Sequence, residues 1–137
     1  VVNFDIPSEM TFGVRSLEAI SDCRAEVREH LLDHDVNEDL IYDVQLACSE
    51  LVTNGFMHAE AVEATVVLRV EGDEVVLTVS YPDTGVIAGR TASMSDVGQR
   101  DGRGTAIIDK LASSVRTEMT DNWRTATTAV FSFLQTV

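Results

Sequence analysis

Between Leu40 and His58 the chain carries two stripes side by side. Leu40, Val44, Cys48 and Leu51 recur at spacings of four, four and three, while Glu50, Asn54 and His58 recur at four. At ~3.6 residues per turn both series run along one helix, each step of four drifting by only about 40°. The first stripe is apolar and needs a packed layer to cover it. The second sets a carboxylate and an amide beside that layer, where the two can act together. A chain holding such a segment folds in layers, with a polar flank carried against its core.

The neighbouring segments name the layers. Val1 to Pro7 alternates apolar and polar through Val2, Phe4 and Ile6 and predicts a short strand. Val14, Leu17, Ile20, Cys23, Val27 and Leu31 then predict a helix through Asp33. Asn37 caps the helix of the two stripes, which runs to about His58, and Glu38 and Asp39 suit the positive end of its dipole. Ala64 to Val70 and Val75 to Tyr81 are β-branched runs parted by Glu71-Gly72-Asp73-Glu74, a hairpin signal. From Thr84 to Gly102 periodicity is lost, and about 19 structureless residues in a compact domain mark a lid or a disordered segment. Gly104 to Ala112 resumes helical spacing through Ile107, Ile108 and Leu111. Ser114 to Met119 and Thr125 to Leu134 predict a closing hairpin about Asp121-Asn122. The expected fold is α+β, a two-layer sandwich with helices on one face of a mostly antiparallel sheet. With 137 residues, 45% of them hydrophobic, residues 1–137 are expected to form a single domain.

The charge is large and uneven. Residues 1–80 hold 4 Arg and 17 Asp+Glu, whereas residues 81–137 hold 6 Lys+Arg and 6 Asp+Glu, so the whole net charge of −13 sits in the first part. That balance argues against nucleic acid as a partner, since phosphate-backbone binding needs a basic face. It leaves room for a nucleotide whose charge a cation offsets, and Arg90, Arg100 and Arg103 ease the local field in the glycine-bearing region. The acidic surface serves solubility or the steering of a basic partner. Cys23 and Cys48 fall on inward-facing helix positions without metal-ligand spacing, which favours buried free thiols and a reducing, cytoplasmic setting over a disulfide. No run reaches the ~18 apolar residues of a membrane span. The chain opens at Val1 rather than Met, as expected of a processed chain or a domain of something longer.

Several residues suit nucleotide chemistry. The Asn54 amide oxygen is a neutral donor for Mg²⁺, which keeps water and phosphate oxygens around it. Glu50, one turn earlier, can take a proton from a hydroxyl or water near a terminal phosphate. Asp83, at a strand end, can accept from an adenine amino group, and Gly85 beside it permits close backbone approach. Gly102 and Gly104 stand at a helix start, where unpaired N–H groups and the dipole favour phosphate. His58 reads as a C-terminal helix cap in preference to a catalytic group. Trp123 serves hairpin packing or, if exposed at the tip, a partner interface. His30 and His34 are expected at the surface.

Taken in order, these segments resemble the GHKL ATPase superfamily and, in so short a chain, its bacterial anti-sigma-factor serine/threonine kinase branch. Ser49-Glu50-Leu51-Val52-Thr53-Asn54 with His58-Ala59 resembles the N box, Asp83-Thr84-Gly85 the first glycine box, and Gly102-Arg103-Gly104-Thr105 the second. The resemblance implies a Bergerat-type ATP site: Asn54 on Mg²⁺, Glu50 as catalytic base, Asp83 on adenine, and a lid at about 84–102 over the phosphates, with Gly85, Arg103 and Thr105 among the nucleotide contacts. It further implies a homodimer and two kinds of protein partner, a sigma factor and a STAS-domain anti-anti-sigma protein phosphorylated on Ser or Thr. Three positions depart from the pattern. Gly55 stands where alanine is usual and is expected to loosen the helix by up to ~1 kcal/mol. Val86-Ile87-Ala88 follows Gly85 without a second glycine, and Thr125-Ala126-Thr127-Thr128 lacks the glycine often found there. Two rival readings stand beside the kinase. One is a non-catalytic ATP/ADP-binding module that switches partners; the other is the ATP-binding domain of a histidine kinase, which is expected to accompany a phosphoacceptor helical hairpin.

Overall fold

A computed structural model describes residues 8–82 and 102–133, the side chains of 102–105 excepted. Its sheet has five strands, β1 (Glu9–Val14), β2 (Ala64–Glu71), β3 (Glu74–Pro82), β4 (Ser114–Met119) and β5 (Arg124–Ser132), in the order β1-β2-β3-β5-β4. Every neighbouring pair is antiparallel. Among the described residues three helices lie against the sheet: α1 (Ile20–Asp33), α2 (Glu38–His58) and α3 (Gly102–Leu111). The architecture is the expected two-layer α+β sandwich.

Alternation decides which strand residues meet the helices. Val75, Leu77, Val79 and Tyr81 of β3 are buried, as are Ala64, Val66 and Leu68 of β2 and Ala129 and Phe131 of β5. From the helix side, Val27 and Leu31 of α1, Ile41, Val44 and Val52 of α2, and Ile108 of α3 close the same core. The Val, Leu, Ile and Phe side chains among them each contribute roughly 1.5–3 kcal/mol when fully buried, so this layer interface is a large part of the stability. At the tip of the β2–β3 hairpin Gly72 takes φ 60°, the left-handed backbone that a tight turn needs.

The predicted elements hold with informative exceptions. Asn37 caps α2 as expected, its Oδ1 accepting from Leu40 N at 2.9 Å. The strand predicted at Val1–Pro7 lies outside the described residues. A strand forms at Glu9–Val14, where helical spacing had enlisted Val14 as the opening of a helix. Met10, Phe12 and Val14 alternate and turn toward the core, so pairing with β2 claims Val14, and α1 begins at Ile20 after a 3-10 turn at Leu17–Ala19. The third helix starts at Gly102, two residues earlier than predicted. His30, expected at the surface, is buried at 8% exposure. Its Nε2 donates to the Ser8 carbonyl at 3.2 Å, since a carbonyl can only accept. Burial holds its pKa below the ordinary imidazole value, although the Ser8 bond works the other way.

Candidate functional site

The helices are laid out in order across the sheet. α1 packs on β1 and α2, α2 on β2, β3 and β5, and α3 on α2 and β4. One flank of α2 therefore faces α1 and the other faces α3. On the α1 flank, Gln45 Nε2 donates to the Arg24 carbonyl at 2.9 Å, and Cys48 Sγ lies 3.8 Å from Cys23 Sγ. Asn54 comes nine residues after Gln45, half a turn round at ~3.6 residues per turn, and Glu50 is about 140° round. Both are half-buried, and this spacing sets them on the side of α2 away from Gln45, toward α3.

The strand order brings a second segment to this flank. Gly55 is buried against Tyr81 of β3, one residue before that strand ends at Pro82. Pro82 pairs with Arg124, the first residue of β5. α3 runs into β4 at Ser114, which pairs with Val130 at the far end of β5. The N-terminal turn of α3, formed by Gly102, Arg103, Gly104 and Thr105, thus lies toward the end of the sheet at which β3 finishes. No acidic residue stands in that turn, and the positive end of its dipole favours an anion there. By this connectivity the Asn54 stripe, the end of β3 and the start of α3 lie on one side of the fold, where α2 and α3 pack together. Asp83 and Gly85, which follow β3 directly, lie outside the described residues. His58 is exposed in the last turn of α2, the position of a helix-end histidine.

Periodicity did not single out the buried residues that brace this end of the sheet. Tyr81 is 6% exposed and Thr125, its partner across β5, 1%. Next along, Thr127 is buried and its hydroxyl meets that of Thr117 at 2.9 Å. Hydroxyls held among apolar side chains stay only when hydrogen-bonded. On the opposite face of the sheet Arg124 grips Glu63 with two nitrogens, at 2.7 and 3.2 Å, and also donates to Thr65 Oγ1, Ser80 Oγ and the Ser80 carbonyl. That fork ties β2, β3 and β5 together where β3 ends. Its guanidinium also holds the Glu63 carboxyl below the usual carboxylate range. Gly55 requires a correction as well. A Cβ there would stand 2.6 Å from Tyr81 Cδ2, so the missing side chain admits the ring and does not simply loosen the helix.

The donor set suits a nucleotide with a hard cation. Among the described residues no three His, Cys, Asp or Glu side chains converge as a metal cluster. A cation at Asn54 would therefore share that amide oxygen with phosphate oxygens and water, the coordination Mg²⁺ accepts.

A layered α+β domain with a polar helix flank, a strand end and a helix N-terminus on one side is the plan of a nucleotide-binding domain. The family model for the histidine kinase-like ATPase domain matches residues 14–131, and the chain belongs to that family, within the GHKL superfamily. Among solved structures, a chain of the SiaB–SiaC complex from Pseudomonas aeruginosa superposes with a TM-score of 0.69 at 16% identity, covering 89% of this chain and 88% of the other. No curated protein sequence matches significantly. Membership of this family carries ATP binding with it. No helix among the described residues is long and apolar enough to cross a membrane.

Proposed function

We propose that the chain is an ATP- and Mg²⁺-dependent protein serine/threonine kinase that acts as an anti-sigma factor. In this reading residues 1–137 are one domain, Asn54 holds Mg²⁺, and Asp83 accepts from the adenine amino group with Gly85 beside it. Gly102, Arg103, Gly104 and Thr105 receive the phosphates under a lid at about 84–102. Glu50 takes the proton from a serine or threonine hydroxyl of a STAS-domain protein, and a sigma factor is held or released as that partner is phosphorylated. The protein works as a homodimer in the cytoplasm, where its two thiols remain reduced. The observation that supports the reading is that α2, which carries the half-buried Glu50 and Asn54 one turn apart, packs against both β3 and α3. The likeness to a chain from a two-protein complex supports action through a protein partner.

A second reading is favoured by Val86-Ile87-Ala88, which follows Gly85 without the second glycine of the motif. There the same pocket binds ATP or ADP as a conformational ligand, and partners are exchanged without phosphate transfer. Incubating the purified chain with labelled ATP, Mg²⁺ and candidate STAS proteins decides between them. Label on a STAS serine or threonine is the expected result. ATP and partner binding with no transfer to any STAS protein would put the switch in the kinase's place.

A further inference from the structure

Gly55 follows Asn54 on α2, and Tyr81 is the last buried residue of β3 before the chain reaches Asp83. The two meet face to backbone. A Cβ on Gly55 would lie 2.6 Å from Tyr81 Cδ2, 2.9 Å from Cγ and 3.0 Å from Cε2, where ordinary contact begins at 3.4 Å. Three atoms of one ring thus crowd a single position, and the ring is buried. The antiparallel pairing of Tyr81 with Thr125 and of Pro82 with Arg124 holds β3 from the other side. Arg124 in turn is pinned by Glu63 and Ser80. β3 cannot retreat easily, so a side chain at position 55 would push α2 outward or turn the ring.

We infer that Gly55 and Tyr81 are positioning residues, a complementary pair that sets the distance between Asn54 on α2 and the end of β3 that leads into Asp83. The inference rests on the nucleotide reading above, in which these two places hold opposite ends of one ligand, the metal-bound phosphates and the adenine. A ligand spanning both ends senses their separation. One that occupies only the phosphate end does not. Displacement of either wall weakens a ligand that two groups must engage together, because neither can then reach its end in the best geometry.

The test compares Mg²⁺–ATP with Mg²⁺–tripolyphosphate, which lacks base and sugar, by calorimetric titration of the purified chain and three variants. Gly55→Ala should weaken ATP binding at least tenfold while changing tripolyphosphate binding far less. Tyr81→Val opens the same contact without crowding the helix and should also weaken ATP selectively. It provides a second route if Gly55→Ala does not fold. Combining the two, so that the new methyl group enters the space the ring leaves, should recover most of the ATP affinity. Unchanged ATP affinity in folded single variants would overturn the inference, as would equal losses for both ligands without recovery in the double variant. An unmodified protein that binds no ATP would instead overturn the nucleotide reading beneath it.

Discussion

The two flanks of α2 have the same helix beneath them and opposite surroundings. Toward α1 the flank is closed: the Cys23 and Cys48 thiols touch, Gln45 caps a carbonyl of α1, and Ile41 is fully buried. Cys48 keeps its proton well above the ordinary thiol range because it donates to Cys23 and is buried, and Cys23 is lowered by the same bond. Toward α3 the flank stays half-open, with Glu50 and Asn54 carried on the helix turns that hold Cys48, Leu51 and Gly55 against the core. The closed side gives the helix its position, and the open side can then present polar groups without much local rearrangement. Packing on one face is what lets the other hold polar groups in place.

The comparison predicts that damage to the two flanks separates cleanly. On the open side the largest effect should come from Glu50→Gln, which preserves shape and cannot accept a proton. Phosphate transfer to a STAS serine should fall by ~10²–10⁴-fold with ATP binding retained, read by single-turnover labelling. Transfer at the unmodified rate would remove Glu50 from the role of base. On the closed side Ile41→Ala should lower the unfolding free energy by about 2–5 kcal/mol in denaturant titration, because it empties a fully buried site. The folded variant should still bind ATP normally. A parallel loss of affinity would mean that the flanks are coupled.

Smaller effects sharpen the contrast. Asn54→Ala should weaken ATP at least tenfold in Mg²⁺ and much less in its absence, while leaving the melting temperature nearly unchanged; an equal loss with and without the cation would count against metal ligation. Smallest of all should be the response to acid. His30 has its folded pKa below the ordinary value of 6.5, so the unfolded chain takes up a proton first and stability falls as pH drops through that value. Glu63 is lowered from 4.5 by Arg124, so its contribution is present above 4.5 and is lost as pH falls further. Thermal melts across this range should show two successive declines, the first abolished in His30→Leu and the second in Glu63→Gln. Melting that rises on acidification would contradict both assignments.

What the sequence determined by itself was whatever repeats locally. The period of α2, its Asn37 cap, the β2–β3 hairpin and the α+β class are legible because each rests on neighbours within one or two turns or across one tight connection. The Glu50 and Asn54 stripe was legible for the same reason, and its motif order led to the family. Tertiary structure alone decided which flank of α2 closes on α1 and that Val14 joins a sheet. It also decided that His30 is buried under Ser8, that Gly55 receives the Tyr81 ring, and that Arg124 locks onto Glu63 61 residues away. Such contacts join residues far apart in the chain, and hydrophobic periodicity records how much of an element is covered without recording what covers it.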